Sequence, residues 1–143
     1  MALGFDNIMN KKTKGTISEY KVITKLLELG YTVSTPIGDN ARYDLIADTG
    51  ENLIRIQVKT GWVHNDVVMF NCFGVTWNRT STYTKEYTLK QVDVFLIYCP
   101  ETDDIYKYPV GKVKLGYLRI KPTKNNQNKG IVWAKDHIFT SLP

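Results

Sequence analysis

Residues 43–60 read YDLIADTGENLIRIQVKT. Two apolar runs flank a Gly50-Glu51 centre. The pattern predicts a strand over Tyr43–Asp48, a type II′ turn with Gly50 at its first central position, and a strand over Leu53–Thr60. A symmetric even-length turn there makes paired residue numbers sum to a constant. That sets Asp48 opposite Leu53 and Asp44 opposite Gln57. Opposite side chains on one face of a hairpin have Cβ atoms about 5 Å apart. Side chains alternate along a strand, so Lys59 shares the Gln57 face, diagonal to Asp44, while Ile54, Ile56 and Val58 turn the other way as core. An acid, an amide and an amine therefore converge on one side of the hairpin. Placing such groups among core residues is costly unless they have a role.

Working outward, a helix is expected from about Thr16 to Leu29. Thr16 with Glu19 fits a capping box, and Gly30 is a natural stop. At about 100° per residue, Val22, Ile23, Leu26, Leu27 and Leu29 gather on one side and Lys21, Lys25 and Glu28 on the other. Glu19 projects into the apolar side. Carboxylates there are uncommon unless capping, paired or metal-bound, so two roles stay open: a helix cap or a site acid. Residues 1–13 read as a flexible arm, Tyr31–Thr35 as a strand and Ile37–Arg42 as a loop. Downstream come a turn at His64–Asp66, strands over Val67–Phe73, Val92–Cys99, Ile105–Val110 and Tyr117–Ile120, and an irregular stretch over 74–90. The order αβββ followed by more strands predicts an α+β fold, a mixed β-sheet flanked by helices. The 143 residues suit one domain, with a basic N-terminal arm and a C-terminal extension.

The composition, 43% apolar and 12% aromatic, is that of a folded chain. No stretch has membrane length, and no signal-peptide core is seen, so a soluble cytoplasmic protein is expected. Cys72 and Cys99 stand alone, without zinc spacing or a disulfide framework, and read as partly buried free thiols. The net charge of +5 suits a polyanionic partner. Lys11, Lys12 and Lys14, then Lys121, Lys124 and Lys129, fall in segments read as arm and loop, where phosphate contacts are usual. The stretch GVTWNRTSTYTKEYT (74–88) offers Asn78, Arg79 and Lys85 to phosphates or base edges. His64 and His137 have no acid partner by spacing and read as surface or structural. Trp62, Trp77 and Trp133 are expected to pack, and Asp93 to serve a turn or a backbone contact.

The residue types fit phosphodiester hydrolysis, which needs a hard cation, an activated water and charge neutralisation. Magnesium takes oxygen ligands and keeps several waters. Asp44 and the Gln57 side-chain oxygen can supply two ligands, and the Val58 carbonyl is a candidate third. Glu19 would act through a water or orient the nucleophile; Lys59 would stabilise the transition state or poise the water.

The set TKGTISEY (13–20), RYDLI (42–46) and IQVKT (56–60) resembles the PD-(D/E)XK nuclease superfamily. More narrowly, NARYDLI, RIQVKTG, VDVFLIYCPETDDIYKYPV and the tail LRIKPTKNNQNKGIVWA resemble the PD-(D/E)XK group I intron homing endonucleases of the cyanobacterial type, over nearly the whole chain. By position, Glu19 matches the helix acid, Asp44 the strand acid, and Gln57 with Lys59 the third motif. The resemblance implies a restriction-enzyme-like α/β core, homotetramers and cleavage of double-stranded DNA with magnesium, manganese being a substitute. Two positions depart from the superfamily pattern. Tyr43 stands where Pro is usual, and neutral Gln57 stands where an acid is usual, as in the intron-endonuclease subgroup. The alternatives are a Holliday-junction resolvase, in which an acid is expected at the Gln57 position, and a non-catalytic DNA-binding module. One site per chain, against two antiparallel strands to cut, also predicts a homodimer or homotetramer.

Overall fold

The computed structural model describes residues 10–77, 82–111 and 113–143. Asn10 opens the only α-helix among them, α1 (Lys11–Glu28), by accepting a bond from the Thr13 amide at 2.9 Å. The helix thus begins five residues earlier than expected. Residues 11–13 belong to it, not to an arm, because Asn is a strong N-cap and lysines are good helix formers. Thr16 lies inside the helix and bonds back to the Lys12 carbonyl at 3.0 Å. The Thr16–Glu19 capping box therefore does not exist. The C-terminus ends as expected: Gly30 takes φ +85°, with Gly30 N–H on Leu27 O and Tyr31 N–H on Leu26 O, a Schellman motif. Leu27 is 56% exposed and does not join the buried side with Val22 and Leu26.

Strands β1 (Thr32–Ser34), β2 (Leu45–Asp48), β3 (Leu53–Thr60), β8 (Val94–Cys99) and β9 (Asp104–Pro109) form a five-stranded mixed sheet in the order β1-β2-β3-β8-β9. Only β3 and β8 run parallel. The β2–β3 register pairs Asp48 with Leu53 and Leu45 with Ile56, the constant sum expected, and Gly50 has φ +89°. A second sheet, β10-β5-β4, contains β4 (Trp62–His64), β5 (Val67–Asn71) and β10 (Leu115–Arg119). The β4–β5 turn falls where His64–Asp66 predicted one. Asn65 and Asp66 both take positive φ, as a two-residue type I′ hairpin requires. Phe73 does not continue β5; it opens a separate hairpin, β6 (Phe73–Trp77) with β7 (Thr82–Glu86). The 74–90 stretch expected to be irregular is thus partly strand, in keeping with its Thr, Tyr, Val and Trp content.

The layers run helix, five-stranded sheet, three-stranded sheet, an α+β fold. Val22, Leu26, Leu45, Ile56, Val58, Leu96 and Phe139 fill the helix side. Val68, Phe70, Phe95, Ile97, Tyr106 and Leu118 fill the other. Alternation along β3 sends Ile54, Ile56 and Val58 to the helix side, so Gln57 and Lys59 belong to the opposite face. Gly61, between β3 and β4, carries the chain from one sheet to the other. Its amide extends the β3–β8 ladder onto Tyr98 O at 2.8 Å, and a Cβ there would lie 3.1 Å from Ile97 and 3.2 Å from Val68. The tail returns beside β9 through Lys107 N–H to His137 O and Phe139 N–H to Ile105 O. Cys72 and Cys99 are buried free thiols. No helix of the described residues is long and apolar enough to cross a membrane.

Candidate active site

The hairpin positions Asp44 one residue ahead of β2, so it is not a ladder partner of Gln57. It is instead tied to β3 on either side of Gln57. Its amide donates to Ile56 O at 2.8 Å, and its carboxylate accepts from Val58 N–H at 2.9 Å. Of Val58, it is the amide that already meets the acid.

From the helix, Glu19 comes close enough to the same carboxylate for the two acids to perturb each other's protonation. With the capping role removed by the true helix start, this contact is the interaction that accounts for an acid on that side of α1. Burial raises the Glu19 pKa first, and the neighbouring Asp44 charge raises it further. Asp44 is also raised by burial, against the lowering effects of the Val58 bond and the Lys59 charge. Two carboxylates in contact share either a proton or a cation. Among the described residues, no three of His, Cys, Asp and Glu gather at one place. The donors that meet here are two carboxylates. That is oxygen chemistry suited to magnesium and unsuited to a soft metal.

Lys59 extends from β3 on the face opposite the helix. Its ammonium donates to Phe73 O at 3.0 Å and to the Tyr87 hydroxyl at 3.3 Å, and lies 4.7 Å from the Tyr87 ring centre. Burial pushes its pKa down to about 8, with the Asp44 carboxylate resisting. Arg42, two residues before Asp44, sits 4.2 Å from the same ring and donates to Glu86 O at 3.0 Å. Neither Arg42 nor Tyr87 was singled out by sequence. Their meeting is non-local, and only the shared aromatic and basic character was visible.

The expected nucleic-acid contacts are scattered. Lys12 and Lys14 stand on the first turns of α1, and Lys11 and Lys14 line a cleft with Thr60, Gly61, Trp62 and Asn71. That cleft begins one residue beyond Lys59. Lys85 is exposed on β7, and Lys124 lies on the exposed linker. Lys121 is exposed, with Asp66 at 3.9 Å. Asn78 and Arg79 lie outside the described residues. Trp62, expected to pack, is 38% exposed on the short β4, where it lines that cleft. His64 is exposed beside Asn65, and His137 bonds Trp133 O. Asp93 serves the backbone as expected, accepting from Arg55 N–H at 2.8 Å and clamping its guanidinium.

Among solved structures the chain is similar to a bacterial homing endonuclease, I-Ssp6803I, with TM-score 0.75 and 22% identity over 91% of this chain and 89% of that one. At that identity the likeness shows the fold. No curated protein matches. A model of the family described as PD-(D/E)XK endonuclease matches residues 9–140, nearly the entire chain. The chain therefore belongs to the PD-(D/E)XK endonuclease family and is a DNA endonuclease, a nuclease of the metal-dependent kind.

Proposed function

We propose that this chain is a magnesium-dependent, site-specific endonuclease of the homing type that cuts double-stranded DNA. The observation that carries the reading is the Glu19–Asp44 carboxylate contact beside Gln57, with Lys59 on the same hairpin. Asp44, the Gln57 side-chain oxygen and the Val58 carbonyl would hold the ion, with Glu19 acting through a water. When bound, magnesium neutralises charge on the phosphate and acidifies the attacking water. Asp44 is oriented for this by the Val58 amide, which fixes one carboxylate oxygen. Glu19 orients the water, and its raised pKa suits it to hold a proton in transit. Lys59 brings positive charge to the developing phosphorane, or a proton to the leaving oxygen, with a pKa close to working pH. Gln57 makes the site one charge poorer than a three-acid site. Lys12, Lys14, Lys85, Lys121 and Lys124, with Asn78 and Arg79, would contact DNA. The chain would act as one domain in the cytoplasm, and as a homodimer or homotetramer, since one site per chain must serve two antiparallel strands.

The test is incubation with magnesium and a random duplex library, reading cut ends, beside Asp44→Ala and Lys59→Ala. We expect one recurrent duplex site, no cleavage by either variant, and retained DNA binding. Light scattering on the same samples should show at least a dimer. Near-parental cutting by either variant would remove that residue from the site. Cleavage of four-way junctions of any sequence would assign a resolvase instead.

A further inference from the structure

A lysine amine acting on a phosphate must be held to within about 0.5 Å, yet its side chain has four rotatable bonds. Lys59 gains that restraint from two groups outside the hairpin that carries it: the Phe73 carbonyl and the Tyr87 hydroxyl. The carbonyl is backbone and moves only with β6. The hydroxyl is a side chain, and its own placement is determined on every side. Tyr87 is 8% exposed and stands edge-on to Phe95 at 5.5 Å and 84°. Arg42 lies 4.2 Å from its ring centre and is fixed in turn by the carbonyls of Glu86 and Lys85, the two residues preceding Tyr87. Gly74, on β6, leaves room for the hydroxyl, since a Cβ there would lie 3.2 Å from the Tyr87 oxygen and 3.4 Å from Arg42 Nη1.

We propose that Tyr87 is a positioning residue for the Lys59 amine and that Arg42 and Gly74 hold Tyr87 in place for it. The inference rests on the reading of Lys59 as a catalytic group. A purely structural Tyr87 would need its ring against Phe95 but not its hydroxyl on an ammonium. Arg42 also lies two residues before Asp44. One clasp therefore links the loop bearing the acid to the residues that steady the amine, and the two arms of the site are set relative to each other.

Tyr87→Phe keeps the ring between the same neighbours and removes only the hydroxyl. Expected are an unchanged melting temperature, an unchanged KM for duplex DNA, and a kcat lower by about ten-fold, the lower end of what one hydrogen bond to a charged group is worth. Gly74→Ala, which crowds the hydroxyl, should also lower kcat. Its effect should vanish in the Tyr87→Phe background, because the atom it displaces is gone. A parental kcat in Tyr87→Phe while Lys59→Ala is inactive would overturn the inference and leave the site intact. A raised KM with unchanged kcat would overturn it in favour of a DNA contact. Should Lys59→Ala itself cut at the parental rate, the reading of Lys59 fails, and the inference fails with it.

Discussion

Glu19→Gln removes one negative charge from a carboxylate pair while keeping the length of the side chain and its ability to bond Asp44. In the metal-free protein both acids have folded-state pKa values raised above their ordinary 4.5 and 3.8, chiefly by burial. The folded state therefore holds more protons than the unfolded chain in the window that starts at those ordinary values. Stability falls as pH rises through that window and is at its lower level by pH 7.5. Removing the Glu19 charge relieves this loss. Glu19 is only half-buried, so solvent screens the effect, and a gain of roughly 0.5–1 kcal/mol is expected. For a chain of this length that is about 3 °C in Tm. Thermal melting in chelator should thus show the variant above the parent at pH 7.5, with the gap closing near pH 4. Magnesium should reverse the order. At 100 times its Kd an ion adds about 2.7 kcal/mol to the protein that binds it, and the variant should gain less. Cleavage should fall by about 10- to 100-fold, the usual cost of losing a group that orients a metal site. A variant that melts below the parent in chelator at pH 7.5, or by an equal margin at every pH, would refute the electrostatic reasoning. It would make Glu19 a packing residue.

Two further outcomes are expected. Gln57→Glu restores a third carboxylate and should tighten magnesium binding by titration calorimetry; an unchanged affinity would take Gln57 out of the metal shell. Gly116→Ala puts a Cβ 2.2 Å from the ring of fully buried Phe70, which is braced edge-on by Tyr108 at 5.0 Å. It should cost about 3 kcal/mol in urea unfolding, whereas a loss under 1 kcal/mol would mean that β10 shifts freely over β5.

The hairpin was legible because its signals are local. Gly50 marks the turn, and alternation then assigns every residue to a face. The helix start was not. Thr16-x-x-Glu19 and Asn10 are both acceptable N-caps, and only the bond from Thr13 N–H to Asn10 decides between them. Reading a cap at Thr16 gave Glu19 a second role that it does not have. Three-residue β4 escaped notice because its register is set by β5, and the β6–β7 hairpin because its alternation is between Thr and aromatics, not between polar and apolar. Glu19, Asp44 and Lys59, whose charges the fold brings near one another, could be singled out from sequence because each sits at a fixed place on a helix or hairpin. The Arg42–Tyr87 clasp could not, since it closes over more than 40 residues through backbone carbonyls that leave no mark on composition.

The bend at Gly61 explains why the site draws on both layers. Up to Thr60 the chain belongs to the five-stranded sheet; from Trp62 it belongs to the three-stranded one. Lys59 is thus among the last residues before the chain changes sheets, on the face opposite the helix. Its amine can be held only by what lies on that side, which is Phe73 and Tyr87. Glu19 comes from the helix layer and meets Asp44 one residue ahead of β2. The acids and the amine are therefore supported by different halves of the core. A substitution that shifts one sheet against the other should misplace the amine relative to the acids without unfolding either half. A Cβ at Gly61 would press on Ile97 at 3.1 Å and Val68 at 3.2 Å, so Gly61→Ala is one such substitution.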